Sequence, residues 1–162
     1  MNKYRKYMLL TYSEMLKSNN FHNNEQYQAP LVGCLLLYSD GTFITSYRDE
    51  SSVYKHAENI LIHKMDKNKM NNQAILFVTL EPCVPFVKRN HLLSCSELIV
   101  QSSIKKVCIG MIDPNPNISN KGIQFLMNHS IQVTFFDKDI AKKIIKANKN
   151  FIEFIKKEKH KK

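Results

Sequence analysis

The chain has 162 residues, 43% hydrophobic and 23% charged, with a formal net charge of +10. That length fits a single domain with a substantial core, and no apolar run approaches the ~20 residues of a membrane-spanning helix. The N-terminus lacks an apolar leader and a small-residue cleavage site, and four cysteines without regular spacing make no disulfide framework, so a reducing cytoplasm is expected.

Tyr7, Met8, Leu9, Tyr12, Met15 and Leu16 recur at three- and four-residue spacing and predict an amphipathic helix over 4–17. Ser18-Asn19-Asn20 stops it, and a polar loop runs to Gln28. The unbroken apolar run 31–38 predicts a strand buried on both faces. Asp40-Gly41 marks a turn, and 43–47 returns as the second strand of a hairpin. A helix starts near His56, with Ala57, Ile60, Leu61 and Met65 facing inward. Residues 74–80 form another buried strand, so Glu81-Pro82-Cys83 lies just past its C-terminal end. A loop over 84–94, a short helix over 95–101 and a strand over 106–112 follow. Asp113-Pro114-Asn115-Pro116 closes that strand, and a helix over 119–128 leads to a last strand over 131–135. Ile140, Ile144, Ala147, Phe151 and Ile155 stripe one Lys-rich helix. Cys34 and Cys108 sit in strand-like runs and read as plain buried thiols.

Strands alternating with helices in the second half imply parallel pairing with right-handed crossovers. The fold class is therefore α/β: one domain over 1–162, a three-layer α/β/α sandwich on a mixed five-stranded sheet. Residues 137–162 carry ten Lys and four acidic residues, a net of +6, which leaves +4 for the rest. This basic C-terminal helix and tail reads first as a solvated face and second as a contact for nucleic acid.

His56-Ala57-Glu58 opens one predicted helix, while Cys83 and Cys95 flank the start of the next. In an α/β sheet both places lie at the strand-end edge where sites gather. One imidazole and two thiolates are the protein ligands of a catalytic Zn²⁺ with an open fourth position. Glu58, two residues beyond the imidazole, is placed to carry protons for a metal-activated water. Hydrolytic deamination needs this set and no organic cofactor. The plainer reading is a surface His and two buried thiols, but the meeting of both segments at strand–helix junctions weighs against it. A structural zinc would want a fourth protein ligand, for which His91 in the intervening loop is the candidate.

These residues resemble the cytidine deaminase-like superfamily. Thr79-Leu80-Glu81-Pro82-Cys83, Cys95 to Leu98, the run 109–116 ending Asp113-Pro114-Asn115-Pro116, and Lys121-Gly122-Ile123 are similar to the deaminase domain of bacterial riboflavin-biosynthesis enzymes, over about 30–151. The resemblance implies a zinc-dependent hydrolytic deaminase of an aminopyrimidine nucleotide, of riboflavin-pathway type or a diverged relative. Asp113 and Asn115 then become substrate-binding candidates, as does Arg89 (or Lys88). In a turn of this composition Asp and Asn also serve their own backbone. Three departures stand out. Gln28-Ala29-Pro30 replaces Pro-Asn-Pro, the loop after Cys83 begins Val84-Pro85 and is longer, and the reductase domain often fused behind such a domain is not expected here. Two further readings stay open: a deaminase of cytosine or adenine in a polynucleotide or tRNA, and a catalytically silent ligand-binding member. Related deaminases commonly assemble, so a homo-oligomer is also expected.

Overall fold

In a computed structural model that describes residues 2–85 and 93–160, the chain forms one five-stranded sheet between two layers of helices. β1 (Gly33–Leu37) and β2 (Phe43–Tyr47) make the antiparallel hairpin, with Gly33 opposite Tyr47 and Leu37 opposite Phe43. β3 (Ile75–Leu80) is also antiparallel to β1, whereas β4 (Lys106–Met111) and β5 (Gln132–Phe135) follow in parallel. The order is β2-β1-β3-β4-β5. Every residue of β1 and β3 is buried, as continuous apolar runs require of strands covered on both faces.

Right-handed crossovers put α2 (Ala57–Lys64), α3 (Cys95–Gln101) and α4 (Lys121–Asn128) on one face, packed in that order. α1 (Arg5–Met15) and α5 (Lys138–Ala147) cover the other face and touch each other. Met8 and Met15 of α1 are fully buried, each contributing about 1.5–3 kcal/mol. Where α1 crosses β1 the residue is Gly33, because a Cβ there would overlap the backbone of Thr11 and Met15. The Arg5 guanidinium grips both Asp139 oxygens at 2.9 and 2.6 Å and Asp137 at 3.0 Å, which joins the start of α1 to the start of α5.

One expectation needs correction. The single basic helix expected over 137–162 is two, α5 and α6 (Lys149–His160), which part at Asn148. The Asn148 amide is buried; its oxygen accepts the Leu31 N–H at 2.8 Å and its nitrogen donates to the Leu31 carbonyl at 3.2 Å. The bend lets one residue serve the chain entering β1 while the apolar stripe continues inward through Phe151. No helix among the described residues is long and apolar enough to cross a membrane.

Because β1 runs antiparallel to β3, the start of β1, the end of β2 and the C-terminal ends of β3 and β4 meet at one edge of the sheet. Val32, Arg48, residues 81–83 and Asp113 share that edge, and α2 and α3 begin there.

Candidate active site

His56 occupies the N-cap position of α2 in extended conformation (ψ 137°). The turn before it is tight: the Asp49 N–H donates to the Lys55 carbonyl at 2.9 Å, and Lys55 takes a left-handed φ of 56°. Such strain in a residue other than glycine persists only where the surroundings impose it. Cys83 follows β3 and Pro82, and Cys95 is the first residue of α3. A capping box fixes that helix start. The Ser94 side chain accepts from the Glu97 N–H, and Glu97 accepts from the Ser94 N–H at 2.8 Å. The Cys95 N–H then donates to the Cys83 sulfur at 3.4 Å.

The three side chains converge. His56 Nδ1 lies 3.4 Å from Cys95 Sγ and 3.9 Å from Cys83 Sγ, and all three donor atoms fall within 4.8 Å of one another. A tetrahedral zinc with Zn–S of about 2.3 Å and Zn–N of about 2.0–2.1 Å needs ligand atoms about 3.5–3.8 Å apart. The donor set and its spacing fit that ion. Among the described residues no fourth His, Cys, Asp or Glu joins the cluster, and His91 lies outside them. Three ligands with one open position is the catalytic pattern.

Protons are shared unevenly among these groups. A hydrogen bond from the Cys95 thiol, seconded by His56, pulls the Cys83 pKa down to about 4. The bond to Cys83 raises His56, and the neighbouring Cys83, with burial, pushes Cys95 well above the usual thiol range. A divalent cation between the sulfurs would hold both as thiolates. Glu58 is buried beside the cluster; burial, with the Cys83 charge nearby, raises its pKa. The carboxyl thus holds a proton more readily than an exposed glutamate.

A cleft of about 250 Å³ opens over these groups. Asp113 and Asn115 line it, and each also serves its own loop. Asp113 Oδ1 accepts the Asn115 N–H at 2.8 Å, and Asn115 Oδ1 accepts the Asn117 N–H at 3.0 Å. Burial, helped by the Glu81 charge, pushes the Asp113 pKa up to about 6. Ala29 stands in the same wall, where it offers no polar side chain. Arg89 and Lys88 lie outside the described residues.

Sequence reasoning passed over three contributors. Glu81 is 2% exposed, and its carboxylate accepts four backbone N–H groups: Asp113 at 3.1 Å, Asn120 at 3.0 Å, Gly122 at 2.9 Å and Ile123 at 3.2 Å. It ties the loop 113–120 and the start of α4 to the strand end that carries Cys83. Gly122 is required there, because a Cβ would overlap the Pro82 carbonyl. A carboxylate between an apolar strand and Pro-Cys was the available signal, since so placed it must find donors. The second contributor is α6, which adds Phe151 and Ile155 to the cleft wall, and the third is Arg48.

The family model described as "Cytidine and deoxycytidylate deaminase zinc-binding region" matches residues 1–111. The riboflavin biosynthesis protein RibD of Buchnera aphidicola subsp. Baizongia pistaciae is 33% identical over 124 residues, which are 76% of this chain and 31% of the relative. The chain thus spans about a third of that protein's length. A diaminohydroxyphosphoribosylamino-pyrimidine deaminase of Buchnera aphidicola subsp. Schizaphis graminum is 31% identical over 124 residues, 76% of this chain and 79% of the relative. Among solved structures, a diaminohydroxyphosphoribosylaminopyrimidine deaminase/5-amino-6-(5-phosphoribosylamino)uracil reductase from Thermotoga maritima superposes with a TM-score of 0.76. It is 26% identical, with 96% of this chain and 42% of that one covered.

Proposed function

This chain belongs to the cytidine and deoxycytidylate deaminase zinc-binding family, and from that membership we propose that it is a hydrolytic deaminase of an aminopyrimidine nucleotide, of riboflavin-pathway type or a diverged relative. The observation that carries the reading is the cluster of His56, Cys83 and Cys95 with the buried Glu58 carboxyl against it. Water adds to the ring carbon that bears the amino group, the C–N bond to that group breaks, and ammonia leaves a ring carbonyl behind. His56 Nδ1 and the Sγ atoms of Cys83 and Cys95 would hold the zinc, which would supply Lewis-acid activation of the water. Glu58 takes the water's proton, and protons pass through it to the ring nitrogen and the departing amine. Its raised pKa suits a group that must both accept and give a proton. Asp113 and Asn115, with Arg89, which lies outside the described residues, are the substrate contacts in this reading. Four free cysteines suit a reducing compartment such as the cytoplasm.

The test is metal analysis of the purified protein with ammonia release from the diaminohydroxyphosphoribosylamino-pyrimidine, cytidine nucleotides and tRNA. Zinc at one equivalent and release from an aminopyrimidine nucleotide are expected, with Glu58→Gln retaining zinc and losing at least ~100-fold in kcat. Equal activity in Glu58→Gln, or a protein that takes up no zinc, would sink the mechanism. Deamination of tRNA alone would sink the substrate assignment.

A further inference from the structure

The cleft is lined by acidic groups (Glu58, Glu81, Cys83 and Asp113), and Arg48 is its one Lys or Arg among the described residues. The Arg48 N–H donates to the Val32 carbonyl at 2.8 Å, which extends the β1–β2 pairing by one residue and sets its Cα at the cleft edge. The residue is only 7% exposed. Its guanidinium is loosely held for so buried a charge. Nε donates to Asn20 Oδ1 at 3.0 Å, but Nη2 reaches the Tyr27 hydroxyl only at 3.4 Å and Glu50 Oε1 at 3.6 Å. A guanidinium committed to a carboxylate usually grips it in two bonds of about 2.7–2.9 Å. Glu50 has turned elsewhere: its Oε2 accepts the His22 N–H at 2.8 Å and lies 2.8 Å from His22 Nδ1. Oε1 is buried and has no hydrogen-bond partner among the described residues.

A buried cation beside an acidic cleft, paired with its carboxylate only loosely at 3.6 Å, is poised for an oxyanion that enters with a ligand. Phosphate matches the guanidinium fork, and no other Lys or Arg among the described residues lines the wall. We propose that Arg48 is the anion receptor of the cleft and that its guanidinium binds the phosphate of a phosphorylated pyrimidine. This deepens the nucleotide reading above and rests on it for the pyrimidine. The phosphate specificity rests on Arg48 itself.

The decisive measurement needs no turnover. Zinc-loaded protein is titrated by calorimetry with inorganic phosphate, with a pyrimidine nucleoside monophosphate and with its nucleoside. The parent should bind phosphate and prefer the monophosphate; Arg48→Met should abolish the first and cut the second about 10- to 100-fold. Arg48→Lys should retain part of both. Asn20→Ala breaks the strap between Arg48 and the loop 19–30 while keeping the charge, so it should leave the preference intact and controls for a structural role. Arg48→Met that keeps the preference, Asn20→Ala that loses it equally, or loss in Arg89→Ala alone would each overturn the assignment. If no aminopyrimidine releases ammonia while Arg48→Met still abolishes the preference, the proposed reaction fails and the anion receptor stands.

Discussion

Glu58 and Asp113 are both carboxyls that burial makes harder to ionise, and both line one cleft. The Asp113 pKa rises from the usual 3.8 to about 6, so the folded chain binds the proton more tightly than the unfolded one. The contribution of Asp113 to stability is therefore fully present where it is protonated, is lost as pH climbs from about 4 to 6, and is absent above that window. At about 1.4 kcal/mol per pKa unit the cost at neutral pH is at most about 3 kcal/mol. Asp113→Asn keeps an Oδ1 acceptor for the Asn115 N–H while removing the charge. Urea denaturation should find it more stable than the parent at pH 7, with the two curves converging near pH 4, while its KM for substrate rises. A stability difference that does not change with pH would rule this account out. A substitution that stabilises the fold and harms the reaction is what a functional carboxyl held in an unfavourable place should show.

Two elements depend on single side chains that belong to neither. Glu81→Gln leaves one acceptor oxygen for four N–H groups, so at least two lose their bond; about 2–4 kcal/mol of stability should disappear in chemical denaturation, with a higher KM and near-parental zinc content. Asn148→Leu leaves the half-buried N–H and C=O of Leu31 without their partner and should cost a similar ~2–4 kcal/mol, with limited proteolysis cutting near the α5–α6 junction first. Both effects were hidden in the sequence, and for related reasons. The stripe from Ile140 to Ile155 keeps helical period straight through Asn148, so nothing local announces the bend. Glu81 looks like a motif residue until the strand order brings α4 beside it. Arg48 reads as a loop cation because its burial depends on the segment 19–30, which is distant in the chain and carries no periodicity. By contrast the strands β1 and β3, the Asp40-Gly41 turn and the junctions carrying His56, Cys83 and Cys95 were legible, since each is marked by a run, a turn pair or a spacing of a few residues. The mixed sheet was legible too, but the placing of β1 between β2 and β3 was not, because pairing between distant strands leaves no local mark.

At the scale of the molecule, the metal ligands come from two helix starts and one strand end, so the ion binds a folded arrangement and stabilises it by mass action. At a thousand times the dissociation constant that is about 4 kcal/mol. Chelation should lower the melting temperature by several degrees, zinc should restore it, and Cys95→Ser should make the protein insensitive to both; a melting temperature indifferent to chelator would count against the site. The Glu81 clamp bears on the molecule in another way, through the exchange of amide hydrogens with solvent. The amides of Asp113 and Asn120 lie outside any helix or strand and would ordinarily exchange within the dead time of mixing. Bonded to a carboxylate buried in the β3 end, they can be released only when that strand lets go. Deuterium should therefore reach these loop positions as slowly as it reaches β3 and β4. The wall of the cleft would then open with the whole sheet and never as a separate flap, so ligands enter past a rigid side and any motion that admits them comes from elsewhere on the rim.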